Sequence, residues 1–381
     1  MKRVLVLVLS NLKHDARVRR QIFAIKDTYK TSVVCFGGDA SPDYDLKVIK
    51  PTNLTFFRKA VASIFLLLKF HKIAHRILHD YSAVIKTFPN PQFDLIIAND
   101  VETLPLAFQF PGKPKVIFDA HEYAPRHFED KKMWRIFFQD FNTWLCRKYI
   151  PKVHGMTTVG KGLASEYERN FHVSPTVITN ANNYFNVQPG KTEKDKIRLV
   201  HHGIATPSRK LELMFDMMTL LDDRFTLDLI LLTPGFASSN TRRYLDELRS
   251  RANQDSRIKI IPPVKSNEVV DAIRRYDMGI FLLPPVNFNY ENTLPNKLFD
   301  FIQARLGVAI GPTPEMAEIV NNYKIGVVSE NFTPQSLAAK LITLTQADIE
   351  TFKHNANRAA ADLNAEVNAE KIKAMISGIL N

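Results

Sequence analysis

The segment that most constrains the fold is the first: Arg3-Val4-Leu5-Val6-Leu7-Val8-Leu9-Ser10 is a continuous apolar run without the polar alternation of a half-exposed strand. Such a run suits a parallel strand covered by helices on both faces. A polar turn and a helical pattern (Val18, Ile22, Ile25) follow, and a second run, Ser32-Val33-Val34-Cys35-Phe36, closes at Gly37-Gly38. Further strands are expected at 93–98, 115–119, 155–159 and 176–180, with an aromatic-rich helix over 134–149. Strands alternating with helical segments make a doubly wound sheet.

Between Asn186 and Lys196 the periodicity stops in a stretch containing Pro189-Gly190, which reads as a linker. The pattern restarts at 197–203. Strands at 226–232, 258–261, 278–283 and 308–310 and helices at 211–221, 241–252 and 266–276 follow, and a polar helical tail runs from 333 to 381. The expected fold is α/β: two Rossmann-like parallel-sheet domains facing a cleft, 1–186 and 197–381, with the terminal helix crossing back to the first. A chain of 381 residues suits two such cores. Its longest apolar stretch, Ala60 to Phe70, contains Lys69 and is shorter than the roughly 18–20 residues of a membrane-spanning helix. The N-terminal run lacks the small-residue cleavage site of a signal peptide. Two cysteines, Cys35 and Cys146, make no disulfide framework, so a reducing, cytoplasmic setting is expected.

Doubly wound sheets bind ligands at the carboxyl ends of their strands, which makes a cleft between the two domains the expected active site. After the first strand, Ser10-Asn11-Leu12-Lys13-His14-Asp15 has no glycine, so the dinucleotide fingerprint is absent. In the second half, His202-Gly203 ends a strand and Arg209-Lys210 precedes a helix, placing two cations at a carboxyl end. Later, Pro284-Pro285 ends a strand and the segment from Tyr290 to Asp300 starts a helix with Pro295 in its first turn. The free N–H groups of that helix, with Lys297, form an anion site. Asp300, one turn further in, is placed to accept hydrogen bonds from ribose hydroxyls. His201-His202 and the series His71, His75, His79 have no further ligand nearby in sequence and are not expected to bind metal.

Four features together resemble the GT-B fold glycosyltransferases of family 4 over nearly the whole chain. They are Val200-His201-His202-Gly203 with Arg209-Lys210, the helix start Leu294-Pro295-Asn296-Lys297-Leu298-Phe299-Asp300, Asp119-Ala120-His121-Glu122 after a strand, and Thr158-Val159 with Asn180. The resemblance implies transfer of a sugar, with retention, from a UDP- or GDP-sugar donor to a glycan or lipid-linked acceptor in cell-surface polysaccharide synthesis, with no metal and no other cofactor. It gives the donor diphosphate to Lys210 with Arg209, the ribose to Asp300 and the base to backbone near Pro263-Val264. Gly203, Glu291, Asn292, Pro295, Asn296 and Lys297 complete the donor-binding set. His121 falls beside the reacting sugar with Glu122 as the second catalytic candidate, and Asp15 and Arg17 lie on the acceptor side. Ile204 stands where many members carry an arginine, and Asn292 where a glutamate is usual, with Glu291 one place out of register. The alternatives are a sugar-nucleotide epimerase on the same fold, with Asp119, Glu122 and Glu291 as proton shuttles, and a catalytically silent sugar-nucleotide-binding protein.

The net charge of +12 is concentrated in the first half, where residues 1–186 carry 27 Lys+Arg against 16 Asp+Glu. Between Lys47 and Lys86 only Asp80 opposes eight cations. A helix over 57–81 would align Lys69, Lys72, Arg76 and His79 beside Leu66, Phe70, Ile73 and Ile77, with His71, His75 and His79 joining a basic face. A basic amphipathic helix of this kind is expected on the anionic inner face of the plasma membrane. Nucleic acid is not an expected partner, because aliphatic residues rather than stacking aromatics interleave the cations.

Overall fold

The computed structural model describes residues 1–232 and 238–381. The chain forms two compact units: Met1–Thr179 with Asn287–Asn289 and Asn368–Asn381, and Asn180–Val286 with Tyr290–Val367.

Unit 1 is a parallel sheet of β1 (Arg3–Leu7), β2 (Lys30–Cys35), β3 (Asp45–Val48), β4 (Leu95–Asn99), β5 (Lys115–Ala120), β6 (Gly155–Thr158) and β7 (Thr176–Val177), ordered β3-β2-β1-β4-β5-β6-β7. Leu7 stands in register with Val34 on one side and Ala98 on the other. The apolar run of β1 is explained by its two faces. Val4 and Val6 pack with Val18, Ile22 and Ile376, while Leu5 and Leu7 enter a separate core with Phe118 and Leu145. Helix Ala365–Leu380 supplies Ile376, so the end of the chain closes one face of this unit.

Unit 2 repeats the plan with β8 (Ile197–Ile204), β9 (Phe225–Leu232), β10 (Ile258–Ile261), β11 (Met278–Phe281), β12 (Gly307–Ile310) and β13 (Gly326–Val328), ordered β10-β9-β8-β11-β12-β13. In each sheet the first strand is flanked by the second on one side and a later strand on the other. The crevices at β1/β4 and β8/β11 are therefore the topological switch points where α/β sheets take ligands.

Three expectations are corrected. The chain changes unit after Thr179 rather than at 186, because the presumed linker is tied down in unit 2. The Phe185 N–H donates to Gln303, Arg305 donates to the Phe185 carbonyl and Lys353 to the Gly190 carbonyl. The single helix over 57–81 is two helices, α2 (Phe56–Leu67) and α3 (His71–His79). Lys69 takes a left-handed conformation (φ 59°) and the Phe70 N–H returns to the Phe65 carbonyl, a hydrogen-bond pattern that ends a helix. The three histidines do not add to a basic face. Their rings lie against Phe141, burial holds His71 and His75 below the ordinary imidazole value, and burial with His75 nearby brings His79 down to about 4.

Candidate functional site

In unit 2 the switch point is built on Gly203, at the carboxyl end of β8 with φ +133°, a conformation glycine adopts without strain. A β-carbon there would lie 3.3 Å from Lys297 Nζ and 3.4 Å from Arg209 Nη1, so the missing side chain leaves two cations lining one space. Lys297 is buried in the first turn of the helix Asn296–Gln303, with Nζ 3.7 Å from the centre of the Phe281 ring. Burial first, and then Arg209, push its pKa well below the ordinary lysine value, while Asp300 opposes them. The site thus holds more positive charge than its own acid offsets. An anion there would relieve the repulsion and meet the positive end of the helix dipole.

Asp300, on the same helix, accepts a hydrogen bond from Asn182 at 3.2 Å. Its other oxygen lies 3.5 Å from His202 Nε2, which has no hydrogen-bond partner among the described residues. Burial, followed by Lys297 and Arg209, lowers the His202 pKa to about 3, so the ring is neutral. Thr313 Oγ1, fully buried, is likewise without a partner among the described residues. Buried polar atoms of this kind are normally satisfied, and ligand-binding positions are among the places where they are not.

The other residues expected at the donor site are spread around this cluster. Lys210 is exposed. It closes the turn Pro207–Arg209 in a left-handed conformation (φ 51°), and its Nζ lies 3.8 Å from Glu212. Arg209 is the member of the pair that reaches the Gly203 space. Val264 is half-buried in the loop after β10, Glu291 and Asn296 are exposed, Asn292 is half-buried, and Pro295 caps the helix that carries Lys297. His201, given no role from the sequence, supports Lys297. Its Nδ1 donates to the Ile280 carbonyl at 2.9 Å, leaving Nε2 to accept from Lys297 Nζ.

Unit 1 gathers a second cluster at the carboxyl ends of β4 and β5. Arg17 makes a two-pronged ion pair with Asp119, through Nε at 3.1 Å and through Nη2. Gln21 and Thr157 donate to the same carboxylate at 3.0 and 2.6 Å. Burial alone would raise the Asp119 pKa, but Arg17 and His121 hold it well below the usual carboxylate range. His121 Nε2 lies 3.3 Å from Asn99 Oδ1 and 3.7 Å from Asp119, and Nδ1 lies 3.5 Å from Asp100. Burial lowers the imidazole, yet Asp100 and Asp119 outweigh it and its pKa is raised. Glu122, expected beside His121, instead pairs with His127 at 2.8 Å. Asp15 accepts from the Val18 N–H and from Ser10 Oγ, capping α1 (Ala16–Ile25). Glu102 is a further acid without a sequence signal. Burial first, then Asp100, raise its carboxyl to about 7. Among the described residues no group of three or more His, Cys, Asp or Glu side chains is placed to hold a metal ion.

No family model matches this sequence, and no curated protein matches it. Solved structures do. Sucrose-phosphate synthase from Thermosynechococcus elongatus superposes with a TM-score of 0.75 at 11% identity, covering 100% of this chain and 99% of that one. HepE from Anabaena in complex with UDP gives 0.67 at 14% identity over 99% and 100% of the two chains. A variant of S. aureus TarM in complex with fondaparinux, alpha-GlcNAc-glycerol and UDP gives 0.69 at 10% identity over 100% of both. The fold is GT-B. Within this GT-B chain the switch-point cluster of each unit stands at the carboxyl edge of its own sheet, where the doubly wound plan places ligands.

Proposed function

We propose that the protein is a glycosyltransferase that moves a sugar from a UDP- or GDP-sugar to a glycan or lipid-linked acceptor, with retention and without a metal, in cell-surface polysaccharide synthesis at an anionic membrane surface. The observation that carries this reading is the Gly203 space of unit 2, where Arg209 and a buried, charge-strained Lys297 converge at a helix N-terminus with Asp300 one turn further in. That combination suits a nucleoside diphosphate, with cations for the phosphates and a carboxylate for the ribose. The UDP seen in HepE and in TarM, proteins of like fold, agrees with it.

In the proposed reaction negative charge develops on the departing diphosphate. Arg209, Lys297 and the helix N–H groups meet it from fixed positions, which lowers the barrier because no reorganisation is needed as the bond breaks. Asp300 holds the ribose and Val264 flanks the base. In unit 1, Asp100 and Asp119 keep His121 protonated more readily, so its imidazole can donate a hydrogen bond to a sugar hydroxyl. Arg17 fixes Asp119 and so the edge on which His121 stands.

Calorimetry with UDP, GDP and pyrophosphate, followed by product analysis with the matching nucleotide sugars and EDTA present, tests the proposal. Expected are UDP or GDP binding well above pyrophosphate, loss of that preference in Asp300→Ala, and release of nucleoside diphosphate with a new glycosidic product. Isomerised donor would favour the epimerase, and binding without any product the silent protein. Activity lost to EDTA and restored by magnesium or manganese would overturn the metal-free reading.

A further inference from the structure

Unit 1 has a groove that the proposed reaction does not use. It encloses about 530 Å³, within the range of small-molecule sites. Tyr149 and Lys152, in its wall, stand immediately before β6, and Phe108 and Gln109 lead back towards β5. The groove therefore opens towards the amino edge of the sheet, whereas His121 and Asp119 lie at the carboxyl edge.

Four cations line it: Lys72 and Arg76 from α3, and Lys148 and Lys152 from the chain entering β6. Lys148 Nζ sits 4.7 Å from the centre of the Trp144 ring, and Lys152 Nζ 5.7 Å from that of Tyr149. The one acid in the lining, Asp80, is engaged by the N–H and hydroxyl of Ser82 at 3.1 and 2.6 Å. His75, 8% exposed, is among the lining residues. The Glu102 backbone hydrogen-bonds its ring, and Nε2 has no partner among the described residues. A neutral imidazole that donates through Nδ1 to a carbonyl presents Nε2 as an acceptor, so what it lacks is a hydroxyl or N–H donor.

Three requirements converge on one ligand chemistry. The cations need an anion, His75 Nε2 needs a hydroxyl, and the Trp144 and Tyr149 rings offer apolar faces for C–H surface. We infer that this groove binds a phosphorylated polyol, with the phosphate among Lys72, Arg76, Lys148 and Lys152 and a hydroxyl on His75. Such a group comes either as a soluble sugar phosphate or as the headgroup of a polyol phospholipid. The inference stands whether or not the Gly203 cluster binds a nucleotide sugar.

Trp144 is one of two tryptophans, so Trp134→Phe leaves it as the reporter. In that background, fluorescence titration with glucose 6-phosphate, inorganic phosphate and glucose reads the groove directly. Vesicles of phosphatidylglycerol and phosphatidylserine at equal anionic content compare headgroups of equal charge. The expected result is saturable binding of glucose 6-phosphate or of phosphatidylglycerol vesicles, at least tenfold stronger than of phosphate and glucose in the first case or of phosphatidylserine in the second. Which of the two binds identifies the source. Arg76→Glu with Lys148→Glu should weaken that binding at least about tenfold, since each contact is a charged hydrogen bond. Lys59→Glu with Lys86→Glu, the same change of charge outside the groove, should not, and UDP affinity should be unchanged in both. Equal response to phosphate and glucose 6-phosphate, vesicle binding blind to the headgroup with no response to glucose 6-phosphate, or equal loss in the two double variants would overturn the inference.

Discussion

Lys297 Nζ lies 3.2 Å from His201 Nε2, and that imidazole is itself fixed by the Ile280 carbonyl. A histidine held as a neutral acceptor thus positions a lysine whose charge is penalised by burial and by Arg209. Lys297→Met keeps the packing against Phe281 and removes the charge. It should weaken nucleoside diphosphate binding by about 1.5–3 kcal/mol, as loss of a hydrogen bond to a charged group does. Because the bound diphosphate raises a pKa that the free protein depresses, binding should take up protons, and affinity should fall as pH rises through the free-protein value. Calorimetry of parent and variant at a series of pH values above neutral, where the diphosphate is fully ionised, measures both effects. Equal nucleoside diphosphate affinity in parent and Lys297→Met would remove Lys297 from the phosphate contacts.

Gly203→Ala tests the space itself. The side chain would be forced to φ +133° and would press on Lys297 and Arg209. The strain should cost about 1–3 kcal/mol of stability. Nucleotide affinity should fall as well, while Ile204→Ala, the next residue along, should leave it near the parent value. Urea unfolding and calorimetry on the same samples separate the two effects.

Asp119 supports unit 1 in a pH-dependent way. Its folded pKa lies well below the unfolded value of about 3.9, so its contribution is fully present above pH 4 and is lost as pH falls towards the folded value. Asp119→Asn should cost about 3–5 kcal/mol near neutral pH, because Arg17 is left partly buried without its counter-charge. The difference between parent and variant should shrink below pH 4. A constant difference from pH 7 to pH 3 would show that the ion pair is not its source.

At the membrane the apolar face should matter as much as the charge. Phe56 and Phe57 on α2 are 88% and 74% exposed, and Ile64, Leu67, Leu68, Phe70 and Ile73 are exposed beside Lys69, Lys72 and Arg76. Sedimentation with anionic vesicles should show binding that falls with salt. It should be lost in Lys69→Glu with Lys72→Glu and Arg76→Glu, each cation contributing about 1 kcal/mol. Phe56→Ser with Phe57→Ser should weaken what remains at high salt. Lowering the pH from 7.5 to 6 should leave His79 neutral, since burial and His75 hold it at about 4, so His79 should add nothing to the part carried by α3. Equal binding to neutral and anionic vesicles would count against the surface.

The two-sheet plan was legible in the amino acids because internal parallel strands, covered on both faces, are written as mainly apolar runs: those expected at 3–10, 278–283 and 308–310 overlap the internal strands β1, β11 and β12. The edge strands β3 and β13 are short and none of their side chains is fully buried, so they left no signal, whereas the edge strand β10 was legible from Ile258, Ile260 and Ile261. The break at Lys69 was also illegible, because the apolar and basic stripes continue in phase across it and only the local backbone interrupts the helix. At the site, the sequence could place Arg209, Lys210 and Lys297 near strand ends, but a chain of letters does not say which way a side chain turns. One φ value at Lys210 sends it towards Glu212, and the open α-carbon of Gly203 admits Arg209 and Lys297. Asp119 holding Arg17, His201 holding Lys297 and His75 left with a bare nitrogen join residues on different elements, and only tertiary packing makes such partners neighbours and sets the burial that shifts their charges.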